Sequence, residues 1–171
     1  NFKNQVSDVN VKFSWLAASE TALIKFYKNG IQVGNTTQKG LTDSIDGPFN
    51  FKPDNGSTFN EIRFMNPGNG DDYLINEISF NEVVTNSSGV IVGNIYNVNI
   101  GAALTDRDGS ETLTVKISGV PTGATFNTSD IVNKGNGVWE LTLPSGTKSI
   151  SDTLKMTVPE SAENFNLTIT A

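Results

Sequence analysis

The stretch ALIKFYKNGIQV, residues 22–33, decides the fold class. Two apolar runs flank Asn29-Gly30, a dipeptide that suits a type I′ turn because both central residues of that turn take positive φ. Apolar runs separated in this way indicate a β-hairpin rather than a helix. We therefore expect two antiparallel strands that meet at residues 29–30.

The strand pattern continues on both sides of this hairpin. Upstream, apolar residues alternate with polar ones from Val9 through Val11 and Phe13 to Trp15, which predicts a strand with one buried face. Downstream, residues 34–47 are polar and Gly-rich and are predicted to form a loop. Further strands are expected at 49–51, 59–65 and 73–80. In the last of these, the apolar residues change from odd to even positions, which predicts an irregularity near Asn76.

Residues 84–90 are small and polar, which is typical of a linker. Beyond them, short strands separated by Gly, Pro, Asn or Asp are predicted at 95–100, 112–118, 124–126, 138–143, 153–157 and 165–170. Such spacing favours antiparallel sandwiches, and no stretch has a sustained helical period. We predict an all-β protein of two tandem antiparallel β-sandwiches, residues 1–85 and 90–171.

Composition limits the possible chemistry. The 171 residues include no histidine and no cysteine, which excludes imidazole- and thiolate-based catalysis and disulfides. Lys plus Arg number 12 and Asp plus Glu number 18, and the net charge of −6 disfavours nucleic acid and anionic membranes as partners. No apolar run approaches the roughly 20 residues that cross a bilayer. The chain begins with Asn1 rather than Met, so we expect a piece of a longer protein.

The oxygen-rich side chains that remain suit a hard cation such as calcium. The sharpest candidate is TDRDGSE, residues 105–111, in which Asp106, Asp108 and Glu111 could converge on one ion and Gly109 permits a tight bend. The loop lacks the glycine position and the flanking helices of an EF-hand. An ordinary acidic β-turn is the alternative, since Asp and Gly are favoured there on conformational grounds alone.

A weaker metal candidate is Asp71-Asp72 with Glu77, because adjacent like charges repel unless they are solvated or share a cation. An exposed acidic turn is the alternative for these residues. Trp15 and Trp139 could stack on sugars, but both lie in alternating strands and are expected in the core. No pair of carboxylates shows the spacing across a cleft that glycoside hydrolysis needs, so we expect no enzyme.

The second half also carries a family pattern: LTDRDGSETLTVKISGVPTGAT at 104–125, GVWEL at 137–141 and NFNLTIT at 164–170. It resembles the bacterial Ig-like extender domains of giant repeats-in-toxin (RTX) adhesins, which Gram-negative, often marine, bacteria export by type I secretion. The resemblance implies an Ig-like or cadherin-like sandwich rigidified by Ca2+, with Asp106, Asp108 and Glu111 as ligands. Arg107 replaces the small residue often found between the two aspartates.

The first half resembles, more loosely, a β-sandwich module of the same adhesins, through VNVKF at 9–13, FYKNG at 26–30, FNEIRF at 59–64 and DYLINEI at 72–78. In that module further strands would precede residue 9. The resemblance therefore implies that unit 1–85 is incomplete at its N-terminus, with its remaining strands upstream of an inserted domain.

The resemblance implies a calcium-stabilised spacer of a secreted adhesin, anchored at the cell surface as part of a larger protein. It would position ligand-binding domains for attachment and biofilm formation. Its partners would be neighbouring domains of the same adhesin, with the chain itself monomeric and free of nucleic acid or membrane insertion. The alternative is a carbohydrate- or peptide-binding module in residues 1–85, directed at a host or diatom surface glycan or peptide.

Overall fold

A computed structural model describes residues 1–105 and 111–171. All regular structure in these ranges is β-strand, and the strands pair in antiparallel fashion. The all-β prediction is confirmed. Within the described ranges no helix is long and apolar enough to span a membrane. The chain divides into two compact units, Asn1–Ile91 and Val92–Ala171.

Unit 1 consists of two antiparallel sheets. One sheet has the order β4-β1-β6 and the other the order β3-β2-β5. Their strands are β1 (Gln5–Ser14), β2 (Thr21–Lys28), β3 (Ile31–Lys39), β4 (Ile45–Phe51), β5 (Glu61–Met65) and β6 (Leu74–Thr85).

Local signals in the sequence set two features of these sheets. The β2–β3 hairpin turns at Asn29 and Gly30 with φ of 51° and 82°, which confirms the predicted turn. The irregularity expected at Asn76 is also confirmed. Lys12 pairs with Glu77 and Phe13 pairs with Ile75, so Asn76 is an extra residue in β6.

The core of unit 1 lies between its two sheets. Val9, Val11 and Phe13 of β1 are fully buried, as are Ile24 and Phe26 of β2. The period-2 alternation on each strand therefore brings two apolar faces together, as the sequence predicts for β1.

Trp15 is not part of this core, and that prediction is wrong. The indole is 60% exposed, whereas Leu16 is completely buried. Strand β1 ends at Ser14, and Trp15 has a φ of 63°, a left-handed conformation that interrupts the alternation of side chains. The next residue then takes the buried position.

Unit 2 also has two sheets, with orders β7-β12-β9 and β10-β11-β8-β13. Its core combines residues of both, and Trp139 packs against that core with its ring 5.1 Å from Phe126. The strands are β7 (Ile91–Ala103), β8 (Thr114–Ser118), β9 (Thr125–Phe126), β10 (Ile131–Gly135), β11 (Val138–Thr142), β12 (Ser149–Pro159) and β13 (Thr168–Thr170).

Three segments differ from the sequence expectation. Residues 34–47 are not one loop, because β3 continues to Lys39 and β4 starts at Ile45. Strand β10 has no predicted counterpart. Within the expected linker, β6 runs to Thr85 and residues 86–90 form a turn, in which the Asn86 N–H donates to the Val90 carbonyl at 2.9 Å.

Candidate metal ligands

The strongest predicted site is only partly within the described residues. Asp106 and Asp108 lie outside them, and Glu111 lies inside. The chain enters this connection from β7, where the Leu104 N–H donates to the Lys148 carbonyl at 2.9 Å. It leaves toward β8, where Leu113 is 4% exposed. The connection therefore links one sheet of unit 2 to the other.

Glu111 differs from a carboxylate in a solvated turn. Its side chain is half-buried, and its Oε2 atom is buried. A carboxylate oxygen removed from water requires hydrogen-bond donors or a cation nearby. The burial of this oxygen is thus compatible with a ligand role for Glu111.

The second predicted set, Asp71, Asp72 and Glu77, is dispersed over separate interactions. Asp71 accepts hydrogen bonds from the Thr21 N–H at 3.2 Å and the Gly68 N–H at 2.8 Å, which ties the turn before β6 to β2. Asp72 is exposed. Glu77 forms an ion pair with Lys12 across the β1–β6 register, with Nζ and Oε2 2.7 Å apart.

Across residues 1–105 and 111–171, no group of three or more acidic side chains is arranged to hold a metal ion. The structure therefore does not bring Asp71, Asp72 and Glu77 together. Burial, and secondarily the charge of Asp71, raises the pKa of Tyr73, whose hydroxyl donates to the Met65 carbonyl at 2.9 Å. The Tyr73 hydroxyl is therefore engaged in a hydrogen bond that joins the end of β5 to the turn before β6.

Asp46 is a buried acid that the sequence reasoning did not single out. It is 5% exposed and accepts hydrogen bonds from the N–H groups of Leu41 and Thr42 and from the Thr42 hydroxyl, at 2.7–3.0 Å. Donation by the Thr42 N–H, followed by the Leu41 N–H, holds the pKa of Asp46 below its ordinary value. Its oxygens are therefore committed to the loop before β4. The stretch LTDSID, residues 41–46, carries the signal, an acid that closes a turn on its own backbone.

Two carboxylates, Asp130 and Asp152, line one cleft of about 570 Å³ in unit 2. Asp130 accepts a hydrogen bond from the Thr128 hydroxyl at 3.1 Å, and Asp152 accepts one from the Thr153 N–H at 2.7 Å. These are short-range bonds of the kind that shape turns and strand ends. They give both acids a local conformational role.

Comparisons of the chain with protein-family models, curated proteins and solved structures gave no match. Of the three ligands predicted in residues 105–111, Glu111 lies within the described residues, with its Oε2 atom buried.

Proposed function

We propose that the chain is a calcium-stabilised spacer from a secreted RTX-type bacterial adhesin, which holds ligand-binding domains away from the cell surface. One observation carries the proposal. The Oε2 atom of Glu111 is buried at the end of an acidic, glycine-containing segment that includes Asp106 and Asp108. Calcium is the hard cation that three carboxylates in such a segment suit.

The position of this segment gives the ion a mechanical role. Residues 104–113 connect β7, in one sheet of unit 2, to β8, in the other sheet. An ion held by Asp106, Asp108 and Glu111 would fix this connection against both sheets. Without it, three nearby carboxylates repel each other and oppose ionisation. Calcium binding is therefore coupled to the stability of unit 2.

The shared core between the two sheets of each unit supports two tandem β-sandwiches. In this proposal unit 2 is the Ig-like or cadherin-like extender domain, and unit 1 is the module that precedes it. The role is mechanical rather than catalytic, and the partners are neighbouring domains of the same extracellular, surface-anchored protein. The local hydrogen bonds of Asp130 and Asp152 are compatible with this role.

Thermal unfolding of the full chain in calcium, magnesium and chelator tests the proposal. Calcium at about 100 times its dissociation constant should stabilise the protein by about 2.7 kcal/mol per site, and magnesium should do so much less because it demands a smaller octahedral shell. The variants Asp108→Ala and Glu111→Gln should lose most of the calcium increment. Asp54→Asn, which removes one negative charge from an exposed turn, is the matched control. A full calcium increment in both loop variants would refute the site.

The alternative, a carbohydrate- or peptide-binding module in residues 1–85, is favoured by one observation, the exposed ring of Trp15. The backbone N–H of Trp15 donates to the Ser44 carbonyl at 3.0 Å, which fixes the main chain of the residue, while its side chain leaves Trp15 60% exposed. Glycan- and peptide-array binding by the full chain, lost in Trp15→Ala, would support this role. Retention of all binding in that variant would exclude Trp15 from it.

A further inference from the structure

Unit 2 contains a second cleft, of about 520 Å³, where β7 begins and β12 ends. Tyr96 lies in this cleft on the core-facing side of the sheet. It pairs with Met156, which is completely buried. It also precedes the buried Val98 by two residues, so the two side chains lie on the same face of β7. Yet Tyr96 is 43% exposed, although Met156 and Val158 beside it on β12 are buried.

Phe165 fixes the ring of Tyr96 from one side. The two ring centroids are 5.5 Å apart and the planes meet at 86°, an edge-to-face arrangement. Phe165 itself packs against the core of unit 2. The exposed surface of Tyr96 is therefore held in place before any ligand arrives, which lowers the entropic cost of binding.

Polar side chains surround this ring. Asn94, Glu160, Glu163 and Asn164 line the cleft, and none of them makes a side-chain hydrogen bond or ion pair with another residue in the described part of the chain. The amides can both donate and accept, whereas the carboxylates accept. The first cleft of unit 2 differs, because Asp130 and Asp152 are already bonded to their neighbours.

We propose that this cleft binds a neutral carbohydrate. A pyranose ring has an apolar C–H face, which packs on the negative face of an aromatic ring, and a rim of hydroxyls that both donate and accept. Tyr96 supplies the aromatic surface, and the amides and carboxylates around it bind hydroxyls. Carboxylate acceptors strengthen these bonds. Among the described residues no cation lines the cleft, and Glu160 and Glu163 would repel carboxylated or sulfated sugars.

The site is built independently of the proposed calcium loop. It lies at the start of β7, whereas residues 104–113 follow the end of that strand. The cleft is open and offers few contacts, so a dissociation constant on the order of 1 mM is expected for a monosaccharide, with tighter binding of oligomers.

The test applies the full chain, at one fixed calcium concentration, to an array of neutral oligosaccharides of glucose, galactose, mannose and N-acetylglucosamine. Acidic glycans and a lysine-rich peptide complete the array. The best neutral binder is then titrated by calorimetry. Tyr96→Ala should weaken binding about tenfold, and Asn164→Ala about threefold.

Two controls separate this cleft from other surfaces. Asn97→Ala changes the exposed neighbour of Tyr96 on the opposite face of β7, and Trp15→Ala removes the exposed indole of unit 1. Both should leave affinity within about twofold. Loss of binding in Trp15→Ala but not in Tyr96→Ala would assign the sugar to unit 1 and overturn the proposal.

Absence of neutral-glycan binding, or binding of only acidic glycans or the lysine-rich peptide, would also overturn it. If Tyr96→Ala fails to fold, the exposed positions Asn164→Ala and Glu163→Gln decide the question, since neither side chain has a partner to lose within the described residues. Unchanged affinity in both variants would refute the proposal. Because every arm contains the same calcium, a negative result leaves the calcium-dependent stability of the chain separately measurable.

Discussion

Replacement of Phe13 by alanine should destabilise unit 1 severely, because this ring occupies the centre of its core. The side chain is completely buried, and its centroid lies 5.4–6.2 Å from the rings of Phe49, Phe51, Phe64 and Tyr73. Truncation of a buried phenylalanine costs about 3–5 kcal/mol. Each favourable ring pair adds about 0.5–1.5 kcal/mol, though not additively. We therefore expect a loss at the upper end, about 4–5 kcal/mol.

Hydrogen exchange with peptide-level readout measures this loss within residues 1–91 under native conditions. Phe80→Ala is the matched control, since Phe80 lies on β6 of the same sheet and is 43% exposed. It should cost no more than about 1.5 kcal/mol. A loss below about 2 kcal/mol for Phe13→Ala, or equal losses in the two variants, would refute the view that Phe13 organises this core.

Three further results are expected. Trp139→Ala should cost about 3 kcal/mol in denaturant melts, the lower end for a buried aromatic, because the ring is only partly buried; a loss below about 1 kcal/mol would contradict its packing. Since the pKa of Asp46 is lowered in the folded state, its contribution to stability is present above about pH 4 and is lost as the pH falls through the folded-state pKa. Asp46→Asn should therefore reduce the fall in melting temperature between neutral and acidic pH. An unchanged fall in melting temperature would contradict this. Gly40→Ala should destabilise the fold strongly, because the new Cβ would lie 1.9 Å from the Leu16 carbonyl oxygen; near-parental thermal stability would contradict that approach.

The sequence was sufficient to predict features that depend on a few neighbouring residues. Asn29-Gly30 specifies its own turn, and the change of parity at Asn76 is visible in the apolar pattern on both sides of it. Asn136-Gly137 is a second Asn-Gly dipeptide, and its φ values of 52° and 71° form the turn that connects β10 to β11. This dipeptide in the sequence therefore indicated that a strand, β10, precedes the turn.

The sequence did not predict strands on which few residues are buried. Only Ile131 is buried among the residues of β10, so alternation could not identify the strand. In β3 the inward positions include Thr36 and Gln38, which are half-buried but not apolar. These strands exist because backbone groups pair with β11 and β2, and such pairing leaves little trace in a hydrophobic pattern.

The candidate site shows the same limit. Spacing along the chain suggested that Asp71 and Glu77 could share an ion, but their partners come from distant strands. Asp71 bonds the start of β2, and Glu77 meets Lys12 through the register of β1 and β6. Which side chains converge therefore depends on strand pairing, which a single sequence does not specify.

The placement of the two tryptophans gives each unit its own optical reporter. The indole of Trp15 is in contact with solvent, whereas that of Trp139 is shielded by Phe126 and the core around it. Iodide should quench the fluorescence of the first far more than that of the second, and the two should differ in emission maximum. Loss of packing in either half of the chain can thus be followed by light alone, with no label attached.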